Sequence, residues 1–255
     1  MYVLMYHEVT KGIPEEIHGV SVERFAEQMR WLAESGYDVL TLDSWLAQSG
    51  HKDRRLWRNT VAITFDDGYL DNYENAWPIL QQHNFSATIF LIAGLMGQTS
   101  RWRPGALRES RLLSWQQARE LADHEVALGG HTLTHPNLTA LAAAEVEHEL
   151  TQSRDLLEQN LSRSIKTFSY PYSGVNPTVK TLVAQAGYKL ACSCPTGYVG
   201  QAGVDLFDLQ RITVLASDTL SDFQQKIQGT LRRHLRWQYM RFGTWRRHLL
   251  KRSLN

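Results

Sequence analysis

A run of β-forming residues, Val61-Ala62-Ile63-Thr64-Phe65, stops on Asp66-Asp67-Gly68. Such a run reads as a buried strand that delivers two carboxylates to the lip of a sheet. Neighbouring anions repel, so burying them requires a cation or a proton. A metal resolves the conflict if one Asp is a ligand and the other is free to act as a base. The plainer reading of this motif alone is a strand followed by an Asp-Gly turn. Further along the chain reads Gly129-Gly130-His131-Thr132-Leu133-Thr134-His135-Pro136. Imidazoles four residues apart can face one way on a helical turn or a tight loop, and imidazole suits zinc and its neighbours. Glu125-Val126-Ala127-Leu128 looks like another short strand, so both motifs sit at strand C-terminal ends, where α/β barrels build active sites. Two His and one carboxylate leave coordination positions open for water and substrate. Against this stands coincidence among ten histidines, and the absence of the His-Glu-x-x-His protease pattern.

The rest of the chain alternates strand and helix. Val3-Leu4-Met5-Tyr6 is followed by a helix carrying Val22, Phe25, Met29 and Leu32 on one face and closed by Gly36. Then come Val39-Leu40, the Asp-Asp strand, a helix near 72–83, and the strand Ala87-Thr88-Ile89-Phe90-Leu91-Ile92. Helices are expected at 115–123, 140–159 and 177–186, with strands near 167–170 and 189–193. This order argues for parallel strands joined by helical crossovers. Periodicity does not choose between a barrel and an open sheet. With 255 residues and no linker, repeat or low-complexity stretch, one barrel of ordinary size uses the chain. The expected division is a barrel over residues 1–230 and a basic, aromatic-rich helical tail over 231–255.

Thr64-Phe65-Asp66-Asp67-Gly68 and His131-Thr132-Leu133-Thr134-His135 together resemble the polysaccharide deacetylases of carbohydrate esterase family four. Phe168-Ser169-Tyr170-Pro171-Tyr172-Ser173-Gly174 is similar to that family's Tyr-Pro-Tyr-Gly segment, and Asp208-Leu209-Gln210-Arg211-Ile212 to its late Asp-x-x-Arg-Ile motif. The resemblance spans roughly residues 1–225 and implies a single-domain, distorted (β/α) barrel of seven or eight strands. It implies Asp67, His131 and His135 as ligands of a divalent metal, with Asp66 as general base. The backbone N–H of Tyr172 is the implied oxyanion donor. The implied reaction removes N-acetyl groups from amino sugars of a poly- or oligosaccharide and releases acetate. Zinc suits the donor set, with cobalt, nickel, iron and manganese open.

Two departures from the family pattern matter. The late Leu-x-His motif that supplies an acid in many members is missing. The opening Val3-Leu4-Met5-Tyr6-His7-Glu8-Val9, however, is similar to the Tyr-His-x-Val start of members that deacetylate poly-N-acetylglucosamine. First and last strands of a closed barrel are neighbours, so His7 is expected to serve as the acid; otherwise it is a structural strand-end histidine. Many members also orient the base with the Arg of Arg-Pro-Pro-Tyr, where this chain has Ser169-Tyr170. Arg211 either holds Asp66 from another strand or pairs with Asp208 on the surface. The extra Ser173 leaves that loop's shape open.

Residues 231–255 contain eight Lys or Arg and no acid, leaving 19 basic against 26 acidic residues elsewhere. Trp237, Phe242, Trp245 and leucines are interleaved with the charges. The tail is expected either to pack on the acidic body or to meet an anionic membrane or a protein partner. Nucleic acid is not an expected partner, since the body repels phosphate. No stretch spans a bilayer and no leader is read at the N-terminus, so a cytoplasmic enzyme, peripheral at the inner membrane face, is expected. Its glycan could then be lipid-linked. Cys192 and Cys194 are expected to be unbridged. Trp102 and Trp115 are candidate sugar platforms or packing residues. The competing functions are a deacylase or deformylase of a lipid-linked amino sugar and a non-catalytic glycan-binding subunit.

Overall fold

The structure, a computed structural model, describes residues 1–12, 14, 17–48, 59–100, 110–194 and 205–228. The tail at 231–255 and Trp102 lie outside the described residues. The chain divides into two compact units, Met1–Ser217 and Asp218–Asn255.

The first unit opens with β1 (Tyr2–Tyr6), then the short parallel pair β2 (Val9–Thr10) and β3 (Val20–Ser21). Helix α1 (Val22–Glu34), β4 (Asp38–Val39) and α2 (Leu42–Gln48) follow. Next come β5 (Thr60–Phe65), a π-helical turn Asn72–Ala76 running into α3 (Trp77–Gln82), and β6 (Thr88–Leu91). Then α4 (Trp115–Asp123), β7 (Ala127–Gly130), α5 (Ala143–Leu161) and β8 (Thr167–Ser169) alternate. Helix α6 (Pro177–Gln185), β9 (Leu190–Ser193), β10 (Leu209–Gln210) and β11 (Ile212–Thr213) complete the unit. The described part of the second unit is α7 (Leu220–Gln228), with Lys226 bonded to Asp218.

The pairings between these strands are parallel, in the order β1, β5, β6, β7, β8, β9, β10. The sheet returns on itself through five residues. Leu209 and Gln210 pair with Cys192 and Ser193 of β9, whereas Ile212 and Thr213 pair with Leu4 and Met5 of β1. Arg211 is the residue at which the chain changes partner. With β10 and β11 counted as one strand interrupted at Arg211, the eighth piece of the sheet is β4, which pairs with the N-terminal end of β5 at Thr60 and Val61. β6 pairs with β5 further along, at Thr64 and Phe65. The result is the seven- or eight-stranded distorted barrel that the motifs implied.

Alternation along β5 sorts its side chains. Phe65 points outward, where its ring packs with Tyr6 and with Phe25 of α1. Ala62 points into the barrel, in one cluster with Met1, Val3, Phe90, Leu190, Cys192 and Leu209. Leu42 and Trp45 of α2 join that cluster and close the N-terminal end of the barrel. Burying such a side chain is worth about 1.5–3 kcal/mol. The opposite end is left for polar residues.

The helices start where local chemistry directs. Ser114 and Gln117 form a reciprocal capping box at α4, and Asn176 caps α6 ahead of Pro177. Val146, Leu150, Ser153, Leu157 and Leu161 of α5 form its buried stripe at helical spacing.

Candidate active site

The strand register gathers the predicted residues at one rim. Tyr6 pairs with Phe65, so His7 and Asp66 stand level just beyond β1 and β5, and the Asp66 N–H donates to the Tyr6 carbonyl at 3.0 Å. Gly130 pairs with Leu91 and with Phe168, which brings His131 to the same rim. Two glycines make this possible. A Cβ on Gly130 would collide with the Tyr188 hydroxyl, and Gly68 (φ +68) would set a Cβ 2.8 Å from Leu91 Cδ2.

Asp67, His131 and His135 form a buried group whose ligand atoms lie within 4.8 Å of one another. Nε2 of both rings is 3.2 Å from the same Asp67 oxygen. That convergence is an ion pair when the rings are protonated and a ligand set when a cation replaces the protons. Nδ1 of His131 is 2.7 Å from the Ser169 carbonyl. A carbonyl can only accept, so Nδ1 carries hydrogen and Nε2 is the ring's ligand atom. Burial would raise the Asp67 carboxyl, but hydrogen bonds from both imidazoles hold it well below the usual range. Burial lowers His135, whereas in His131 the Asp67 bond outweighs burial and raises it. The donor set therefore fits a divalent metal ion.

Asp66 faces a different partner. Arg211 donates Nη1 to one carboxylate oxygen and Nη2 to the other, both at 2.7 Å. The guanidinium is 1% exposed and also reaches Thr64 Oγ1, Ser169 Oγ and the Ser193 carbonyl. The Phe90 ring lies beneath it, its centroid 5.6 Å away. Burial pushes the Asp66 carboxyl up, yet the charge and hydrogen bonds of Arg211 bring it down to about 2. Of the two partners open to Arg211, the geometry gives Asp66. Asp208 bonds Ser193 and Gln210 and lies 3.8 Å from Lys180.

His7 is half-buried, stacked on His18 with centroids 4.9 Å apart, and close enough to influence the Asp66 carboxyl. Its carbonyl accepts from Asn72 Nδ2 at 2.7 Å. Tyr172 sits in a turn where it and Ser173 both have positive φ (56° and 54°). Its ring is 60% exposed and meets His135 edge-on at 4.8 Å. Both cysteines are free thiols, and Cys194 Sγ lies 3.3 Å from Thr213 Oγ1. Trp115 is half-buried at the start of α4.

Three supporting residues escaped the sequence reading. Asn72 left no local signal. Ser169 stands out in the sequence only as a departure from Arg-Pro-Pro-Tyr, yet its hydroxyl receives Arg211 and its carbonyl receives His131. Glu149 did leave a trace, since it falls on the buried side of α5 next to Leu150.

A parallel α/β barrel whose C-terminal rim holds a convergent Asp-His-His set beside a guanidinium-clamped carboxylate is the architecture of a metal-dependent hydrolase. A sequence profile of the polysaccharide deacetylases matches residues 53–191, and the chain belongs to that family. The Bacillus subtilis (strain 168) protein YxkH, a polysaccharide deacetylase by name, is 28% identical over 89% of this chain and 76% of its own length. The poly-beta-1,6-N-acetyl-D-glucosamine N-deacetylase of Staphylococcus aureus (strain MSSA476) is 29% identical over 69% of this chain. The match spans 61% of that relative's length. Among solved structures, the Streptococcus pyogenes deacetylase PplD, in complex with acetate, superposes with a TM-score of 0.75 at 25% identity. That alignment covers 88% of this chain and 96% of PplD.

Proposed function

We propose that this deacetylase hydrolyses the acetamide of N-acetylglucosamine units in a poly- or oligosaccharide, releasing acetate and a free amine. The observation that carries the reading is the division of labour between two adjacent carboxylates. Asp67 faces two imidazoles while Asp66 faces a guanidinium. Asp67, His131 and His135 would hold the cation, and two imidazoles with one carboxylate favour zinc. A divalent cation bound there supplies Lewis-acid polarisation of the amide carbonyl and a lowered pKa for attacking water. Asp66, kept ionised by Arg211, accepts the proton of that water. The Tyr172 N–H donates to the oxyanion that develops on the former carbonyl. His7 donates a proton to the departing nitrogen, which cannot leave as an amide anion. The Staphylococcus aureus relative's polymer favours β-1,6-linked N-acetylglucosamine as the substrate class.

Amine release from N-acetylglucosamine oligomers tests this, with metal removed and restored beside Asp66→Asn. We expect the variant to bind metal normally while turnover falls about 10²–10⁴-fold, the usual contribution of a positioned base. Metal-independent glycan binding with no amine formed under any condition would sink the reading and favour a scaffold subunit. An oligomer bearing N-formyl in place of N-acetyl separates a deacetylase from a deformylase.

We further propose that the barrel occupies residues 1–230 and that residues 231–255 bring it to an anionic membrane surface, at the cytoplasmic face. A lipid-linked glycan would be reached there. The support is the sequence: eight basic residues without an acid, interleaved with Trp, Phe and Leu. Flotation on anionic liposomes should be lost on deleting 231–255; equal partitioning of both proteins would end the idea.

A further inference from the structure

We propose that Glu149 is a positioning residue for the metal site, holding the His131–His135 loop in its ligating shape from helix α5. The inference rests on the metal-binding reading above and extends it to a residue that touches no ligand atom.

The loop has an unfavourable backbone to maintain. Thr132 (φ 66°) and His135 (φ 67°) both lie in the left-handed region, and neither is glycine. An unsupported five-residue segment would relax from that conformation and separate the two imidazoles. Glu149 opposes this from below. One carboxylate oxygen accepts the N–H groups of Leu133 (2.8 Å) and Thr134 (2.9 Å), and the other accepts the Thr134 hydroxyl (2.6 Å). Other loop groups are tied to neighbouring parts of the chain. The carbonyls of Thr132 and Leu133 accept from Ala93 and Gly94, and Thr132 Oγ1 accepts the His135 N–H. Among the described partners of the three residues between the histidines Glu149 is the charged one, and it holds two of the three.

Its location argues for a specific role. Glu149 is 8% exposed and sits on the buried side of α5 beside Val146, Leu150 and Ser153. A carboxylate at such a position is costly unless its oxygens are satisfied, and here the partners are the loop itself. An apolar residue would pack on that helix face equally well and would leave the Leu133 and Thr134 amides without acceptors.

The test titrates apo protein with Co²⁺, reading the d–d absorption bands, and repeats the titration with Glu149→Met, which keeps the approximate length of the side chain and removes both acceptor oxygens. We expect the variant to stay folded by circular dichroism, bind Co²⁺ about 10–100-fold more weakly and give an altered band shape. Losses of that size follow removal of groups that orient metal ligands. A purely structural role would lower the melting temperature and leave the affinity and spectrum of the folded protein unchanged; that result overturns the proposal. Wild-type protein that takes up no Co²⁺ would remove the metal reading itself and this inference with it. A second measurement needs no variant. Hydrogen exchange in wild-type protein should show the Thr134 amide protected although the residue is exposed, and free exchange there would also overturn the proposal.

Discussion

At the scale of single residues, the site is held by giving each buried charge a partner of opposite character, Arg211 for Asp66 and two imidazoles for Asp67. The Asp66–Arg211 pair can be tested through pH. Asp66 has a folded value of about 2 against an ordinary 3.8. A depressed carboxyl binds fewer protons folded than unfolded, so its stabilisation is present above the unfolded value and is lost as pH falls from about 4 through about 2. Its size is on the order of 2 kcal/mol, at about 1.4 kcal/mol per unit. Acid unfolding of the wild type should therefore steepen in that window, and Asp66→Asn should lack that component. In Arg211→Met, burial still raises the carboxyl while the opposing charge is gone. The acid limb of the kcat/KM profile should then move upward by more than one unit, with a fall in stability of roughly 3–5 kcal/mol for breaking a buried pair. Arg211→Lys keeps charge without the two-pronged geometry and should shift the limb less; an unmoved limb in both variants would refute the assignment. Arg211 was legible in the sequence as a candidate with two partners. What decided between them was the closing strand, and two paired residues on either side of Arg211 give no readable period.

At the scale of elements, the sequence was most legible where capping or spacing is chemical. The Ser114–Gln117 box and Asn176-Pro177 mark helix starts directly, and both helices begin where expected. Short pieces such as β4, β10 and β11 are two residues long and derive their identity from long-range pairing. The expected helix at 72–83 is real but begins as a π-helical turn, Asn72–Ala76. Widened turns of this type recur at functional sites. Here the turn sets the buried Asn72 amide against the His7 carbonyl. Asn72→Ala should lower stability by about 1–2 kcal/mol through loss of a buried hydrogen bond. If His7 is the acid, as proposed, the substitution should also lower kcat about 10-fold with little change in KM, because the proton donor rather than substrate binding is displaced. A variant that loses stability at unchanged kcat would make the turn structural only. Gly130→Ala is a harsher test of the β7 rim. The added methyl meets the Tyr188 hydroxyl, an overpacking that costs about 1–3 kcal/mol, and metal affinity should fall because His131 is the next residue.

At the scale of the whole molecule, the apolar cluster lies at one end of the barrel and the ionisable groups at the other. Leu42, Trp45 and their neighbours fill the N-terminal half, so folding does not require the charged rim to be metal-bound. The rim also has internal compensation, since Asp66 is paired by Arg211 and Asp67 by two imidazoles. Chelator-treated protein should accordingly remain folded and cooperative, unlike small domains in which metal binding is the folding energy. Added Zn²⁺ binds the native state, so at 100 times its dissociation constant it should stabilise by about 2.7 kcal/mol. For a barrel of this size each kcal/mol moves the melting temperature by roughly 2–4 °C, giving an expected rise of about 5–11 °C. Asp67→Asn removes the carboxylate charge on which both rings converge and should abolish the rise, whereas Asp66→Asn should keep it. Scanning calorimetry of the three proteins with and without Zn²⁺ checks this directly. An equal rise in the Asp67 variant would place the cation elsewhere, and no rise in the wild type would remove it from the rim.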